Sequence, residues 1–174
     1  MRDHARSEFM TKWSEVPLTF SQRRRYPVVV KDTMHNIYMG GVLVDGGSSI
    51  NLLFADELDA LQIPSTLKPS PSFFGITNYS SVKPLGQIEL SVTFGLPNNF
   101  MTERVLFDVV DFGTAYNAIL GRPVLVQFMV IAHYAYQAIK IPSSKGAITI
   151  LGNQKATLHC DKRNLDMVEL IPGS

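Results

Sequence analysis

Gly41-Val42-Leu43-Val44-Asp45-Gly46-Gly47-Ser48-Ser49 carries an apolar, β-prone run straight into one aspartate, two glycines and two serines. The composition sets a carboxylate where a strand gives way to a tight turn. A carboxylate at the mouth of a buried strand is costly unless its surroundings use the charge, because desolvation disfavours the ionised form. Gly46 and Gly47 let the chain bend sharply, and Ser48 and Ser49 supply hydroxyls within reach of the carboxylate. Two readings follow: a catalytic aspartate, or an Asp-Gly β-turn of the kind common between strands.

The surrounding chain is strand-rich. Pro27-Val28-Val29-Val30, Asn36-Ile37-Tyr38-Met39 and Gly41-Val42-Leu43-Val44 read as three short β segments, and their spacing favours antiparallel pairing. Beyond the turn, Phe54, Leu58 and Leu61 recur at helical spacing and predict a helix over 51–61, stopped by Pro64. Phe73-Phe74-Gly75-Ile76 predicts another strand, and Gln87 to Phe94 alternates with period two, so one of its faces is buried. The polar, turn-rich stretch from Thr77 to Gly86 suits the tip of a projecting hairpin. Turn residues at Gly95 to Asn99 lead into a strand at Arg104 to Val110. Ala118-Ile119-Leu120 then runs into Gly121-Arg122-Pro123, with Pro123 suited to the first turn of a short helix through Phe128. Closing strands are expected within 135–141 and 147–151, with Tyr134 and Tyr136 alternating as strand residues. Two apolar strands thus end in glycine turns, near 44 and 120, as halves of a pseudo-symmetric unit in which the first half alone has an aspartate.

At 174 residues and 45% hydrophobic content the chain suits one folded domain with tails: a flexible N-terminal arm over 1–26, a domain over 27–157 and a polar C-terminal tail over 158–174. A formal charge of +1 gives no bulk electrostatic reason to bind nucleic acid or an anionic membrane, and Arg23-Arg24-Arg25 reads as a solvated basic run. Cys160 is the one cysteine, so no internal disulfide forms, and it reads as a bystander near the end of the chain. With no apolar stretch of spanning length and no signal-like segment, a cytoplasmic or nuclear location is expected. His4, His35, His133 and His159 show no ligand spacing with one another or with Cys160, so no metal and no cofactor are expected. The Gly-x-Ser-x-Gly elbow of serine hydrolases and the lysine of a phosphate loop are both missing.

In order and content, Val42-Leu43-Val44-Asp45-Gly46-Gly47-Ser48-Ser49, the segment from Phe74-Gly75 to Pro84-Leu85-Gly86, and Ala115-Tyr116-Asn117-Ala118-Ile119-Leu120-Gly121-Arg122-Pro123 resemble retropepsin-like aspartic proteases. The resemblance is closest to the protease region of plant Ty3/gypsy-type retrotransposon polyproteins. It implies an all-β fold, a closed barrel with a flap hairpin and one or two short helices. It implies an aspartic endopeptidase acting on a polyprotein, with Asp45 as the catalytic carboxylate and its mate supplied by a second copy of the chain in a homodimer. Gly46, Gly47 and Ser48 would form the active-site turn, Gly47 allowing close approach of two turns and Ser48 bonding Asp45. Gly75, Ile76, Thr77 and Gly86 would belong to a substrate-binding flap. Ile119, Leu120, Gly121 and Arg122 would support the turn from below. Where such enzymes carry Thr or Ser after the aspartate, bonding across the dimer, this chain has Gly46. That difference sustains the alternative, a catalytically inactive dimerisation or peptide-binding module of the same fold.

Overall fold

Two strands, β1 (Val28–Met34) and β2 (Ile37–Val44), open the barrel as an antiparallel hairpin running from Val28 opposite Val44 to Met34 opposite Ile37. The computed structural model describes residues 28–34, 37–62, 66–71, 73–77, 80–112, 114–153, 155–160 and 162. The arm expected over 1–26, Pro64 and the end of the expected tail lie outside them. Three early segments were expected and two strands form, because the second and third segments are continuous. The register slips between Val30–Val42 and Asp32–Met39, leaving an extra residue on β2. Gly41, at φ +66°, absorbs it as a bulge, so the glycine bends this strand without ending it.

The helix expected over 51–61 is corrected in its first half. Leu52–Phe54 form strand β3, and only Asp56–Ala60 are helical (α1). Leu52, Leu53 and Phe54 are all buried, which a single helix face cannot achieve with consecutive residues. Leu53 faces the main core, while Leu52 and Phe54 join Val110 in a second cluster on the other side of the sheet. Leu58 and Leu61 do pack on the main core from α1 and its end.

Burial pushes the Glu57 carboxyl of α1 above its ordinary value, and the charge of Asp56 adds to the effect. A carboxyl raised by folding penalises the folded state; the penalty is absent below the unfolded value, grows between the unfolded and folded values and is complete above the folded one. Glu57→Gln is therefore expected to raise the melting temperature by about 1–2 °C near neutral pH and to leave it unchanged near pH 3, as paired thermal melts would read.

Strands β4 (Phe73–Thr77) and β5 (Ser80–Val82) pair with each other as a two-stranded antiparallel hairpin. β6 (Gly86–Leu96) and β7 (Asn99–Val110) form the long wall of the barrel, paired along their whole length. The period-two reading of this region holds: Ile88, Leu90, Val92 and Phe94 alternate inward, met by Val105, Phe107 and Val109. β8 (Ala118–Leu120) closes the barrel, whose order is β1-β2-β8-β3-β7-β6. Pairing is antiparallel in the hairpins, between β1 and β6 and between β3 and β8, but parallel between β2 and β8 and between β3 and β7.

Helix α2 (Arg122–Gln127) has Pro123 in its first turn, and Phe128 just after it meets Phe94 edge-on with ring centroids 4.8 Å apart. A second sheet, ordered β11-β10-β9, follows from β9 (Ile131–His133), β10 (Ala138–Ile141) and β11 (Ile148–Leu151). Tyr134 to Tyr136 were expected as strand residues; they form a 3-10 turn that ends at Gln137 in the left-handed region, φ 50°. The tail boundary expected at 158 falls inside a helix over 155–160. Nor is Cys160 a bystander: it is buried, and its Sγ donates to the Ala115 carbonyl at 3.1 Å. Among the described residues no helix is long and apolar enough to cross a membrane.

Candidate functional site

The parallel pairing of β2 with β8 sets Val42 against Ala118, Leu43 against Ile119 and Val44 against Leu120. The two glycine turns noted in the sequence therefore leave the barrel side by side. Asp45 continues β2 by donating its N–H to the Leu120 carbonyl at 3.0 Å. Its own carbonyl accepts from Ser48 N–H at 3.2 Å, closing the turn. Asp45 Oδ1 accepts from Gly47 N–H at 2.9 Å, so the side chain is held over its own turn. Oδ2 has no hydrogen-bond partner among the described residues. The carboxylate is half-buried and Gly47 is exposed, so the turn presents one tethered and one open oxygen at the surface.

Ser48 bonds Asp45 through its backbone N–H and not through its hydroxyl. Its hydroxyl donates to the Ile50 carbonyl at 2.8 Å and so braces the exit from the turn instead of bonding Asp45. The Ile50 carbonyl stands within reach of the hydroxyl two residues on.

Support from below comes through Gly121. Its N–H donates to Asn51 Oδ1 at 3.0 Å, and Arg122 N–H donates to the Ser48 carbonyl at 2.9 Å. A Cβ on Gly121 would stand 2.1 Å from the Ile50 carbonyl oxygen, so only glycine permits this approach. Leu120 is fully buried beneath the turn, and Ile119 packs on the second cluster. Arg122 is exposed and reaches the turn through its backbone.

Two residues here escaped the sequence reading. Asn51 is buried; besides accepting from Gly121 it donates Nδ2–H to the Leu106 carbonyl at 3.0 Å, joining the turn to β7. A lone amide at the head of the apolar run Leu52-Leu53-Phe54 was the available signal, since a buried amide needs partners. Tyr134 is the other: its phenol oxygen accepts the Gly46 N–H at 3.0 Å across a separation of 88 residues.

Gly75, Ile76 and Thr77 lie together in β4, where the register between Phe74–Ser81 and Thr77–Ser80 is irregular. Gly86 does not share that hairpin. It opens β6 opposite Val109, buried under Leu67 and Lys68, because the barrel wall already begins there. Asn78 and Tyr79, within the stretch expected at the hairpin tip, lie outside the described residues. Away from the turn, Arg104 and Glu89 pair at 2.8 Å on the β6–β7 ribbon, and the guanidinium hydrogen bond holds Glu89 below the usual carboxylate range. Among the described residues, no group of three or more His, Cys, Asp or Glu could hold a metal ion.

Comparison with solved structures fixes the fold. The retroviral protease-like domain of Ddi1 from Leishmania major superposes with a TM-score of 0.57 at 14% identity, over 76% of this chain and 98% of that one. A retropepsin-like aspartic protease from Rickettsia conorii matches at a TM-score of 0.47 and 16% identity, over 77% of this chain and 96% of that one. EIAV protease in an inhibitor complex matches at 0.44 and 18%, over 68% and 99%. No family model and no curated protein matches the sequence. The fold is all-β and retropepsin-like.

Proposed function

We propose that this chain is an aspartic endopeptidase of retroelement origin, akin to the protease of plant Ty3/gypsy-type polyproteins, working as a homodimer with one Asp45 from each subunit. The observation that carries the reading is the tethered carboxylate of Asp45 at the exit of a strand paired in parallel with β8, in a retropepsin-like barrel. The matching exit of β8 brings Gly121 and Arg122 and no acid, so a second aspartate has to come from a second copy.

Two carboxyls brought within a few ångströms cannot both ionise and therefore share one proton. The ionised one takes a proton from water as that water attacks the scissile carbonyl; the protonated one hydrogen-bonds the carbonyl oxygen as charge develops on it. Exposed Gly47 lets two such turns approach. The β4–β5 hairpin, through Gly75, Ile76 and Thr77, acts as the flap that holds an extended peptide and excludes water. The substrate is the polyprotein, the location cytoplasmic or nuclear, and neither a cofactor nor a metal takes part. The arm over 1–26 and a tail beyond Cys160 flank this domain, which takes in the helix over 155–160.

A second reading, an inactive dimerisation or peptide-binding module, draws on Gly46, which lacks the hydroxyl usual at that position. Peptide-library hydrolysis from roughly pH 3 to pH 8 separates the two. The enzyme gives an acidic optimum, inhibition by a hydroxyl-containing transition-state mimic, and a dimer in sedimentation at assay concentration. A folded dimer without cleavage at any pH is the module.

A further inference from the structure

Four backbone N–H groups shape the aspartate turn, and three are held by the turn itself or by the neighbouring strand: Asp45 on Leu120, Gly47 on the Asp45 carboxylate and Ser48 on the Asp45 carbonyl. The fourth, on Gly46, donates to the phenol oxygen of Tyr134. The backbone that carries the phenol is well anchored. β9 leads into Tyr134 and β10 returns alongside β9, His133 standing opposite Ala138. The left-handed Gln137 ends the intervening 3-10 turn, and the Gly152 N–H bonds its carbonyl. The rings of His133 and Tyr136 lie 4.3 Å apart on the same turn. Tyr134 remains 44% exposed, as suits a residue at the rim of a site.

The contact is also close. A Cβ at position 46 would stand 2.9 Å from the Tyr134 oxygen, with Leu125 Cδ1 at 3.8 Å behind it. A side chain at 46 would therefore push the tip of Tyr134 off this bond, and Gly46 leaves the phenol its place. On the reading of this chain as an aspartic endopeptidase, we infer that Tyr134 is a positioning residue for Asp45, bringing from within the same chain the hydroxyl that the turn lacks at Gly46. By accepting the Gly46 N–H it fixes the turn and keeps the Gly47 N–H on Asp45 Oδ1, while its own O–H stays available as a donor. Gly46 is then half of a matched pair, which removes the argument for inactivity.

Tyr134→Phe keeps the ring and deletes the oxygen. It is expected to lower kcat roughly three- to tenfold, the effect of one hydrogen bond, with KM within about twofold of the parent. Gly46→Ser alone is expected to be impaired through collision with the phenol, and Gly46→Ser with Tyr134→Ala to recover activity above either single variant. Amide hydrogen exchange adds a readout independent of catalysis: the Gly46 and Gly47 N–H groups exchange faster in Tyr134→Phe than in the parent. An unchanged kcat in Tyr134→Phe overturns the inference, and so does a double variant no better than its worse single. A raised KM at constant kcat overturns it too, since that signature belongs to a tyrosine that binds substrate and does not position Asp45. If the parent chain hydrolyses nothing, the endopeptidase reading fails by itself; Tyr134 then still stands as the holder of the turn if exchange at Gly46 and Gly47 quickens, and falls if it does not.

Discussion

Asp45→Asn is expected to lower kcat on the order of 10³-fold or more, while the melting temperature and the dimer mass stay close to those of the parent. Asparagine keeps the shape of aspartate, and its Oδ1 can still accept the Gly47 N–H that lies 2.9 Å from the carboxylate. The turn's other bonds, backbone bonds to Leu120 and Ser48 and the Gly46 N–H on the Tyr134 phenol, do not involve the carboxylate, so the turn survives. What disappears is the capacity to take a proton from water, because an amide is no base in this range. Mixing supplies a sharper form of the test. If one active site draws an aspartate from each of two subunits, randomly exchanged equal amounts of parent and Asp45→Asn retain about one quarter of the parent activity, the fraction of all-parent dimers. Retention of about one half would mean that each chain acts alone, and the shared-site reading would fail.

Gly121→Ala is expected to cost about 3 kcal/mol or more, because the added methyl meets backbone that has nowhere to go. Its Cβ would stand 2.1 Å from the Ile50 carbonyl oxygen and 2.9 Å from the Ser48 carbonyl oxygen. Those atoms belong to the exit of the aspartate turn, so relief requires prising β8 away from it. The movement also stretches two hydrogen bonds, from Gly121 N–H to Asn51 and from Arg122 N–H to Ser48. For a chain of this size the loss corresponds to a fall in melting temperature of roughly 6–12 °C, read by calorimetry. Activity should fall further than the folded fraction does, since the strain is delivered to the turn that carries Asp45. A variant that melts within a degree or two of the parent would show that the turn yields freely, contrary to the tight approach described here.

Both sites test features that differ in how far the sequence reveals them. The alternation from Gln87 to Phe94, the Pro123 start of α2 and the strand-to-turn passage at Val44-Asp45-Gly46 were legible because each is decided within a few residues, by hydropathy period or backbone freedom. The pairing of the two glycine-ended strands was foreshadowed by their likeness, and β2 and β8 do lie together in register. Helical spacing misled at Leu52–Phe54, because three consecutive apolar residues fit a helix start as well as a strand buried on both faces. The neighbours β7 and β8, distant in sequence, decided for the strand. Gly41 looked like a boundary and proved to be a bulge, since whether a glycine ends or bends a strand depends on its partner's register.

The sequence by itself determined that a lone aspartate stands in a glycine turn after an apolar strand, and that the chain around it alternates as β structure. Only the tertiary structure decided what holds that aspartate. The Ser48 hydroxyl goes to Ile50, Asn51 takes the Gly121 N–H, and Tyr134 arrives from 88 residues away to take that of Gly46. Hydropathy is a property of each residue and can be read along the chain; a hydrogen bond is a property of two groups, and which two meet is set by the closure of the barrel.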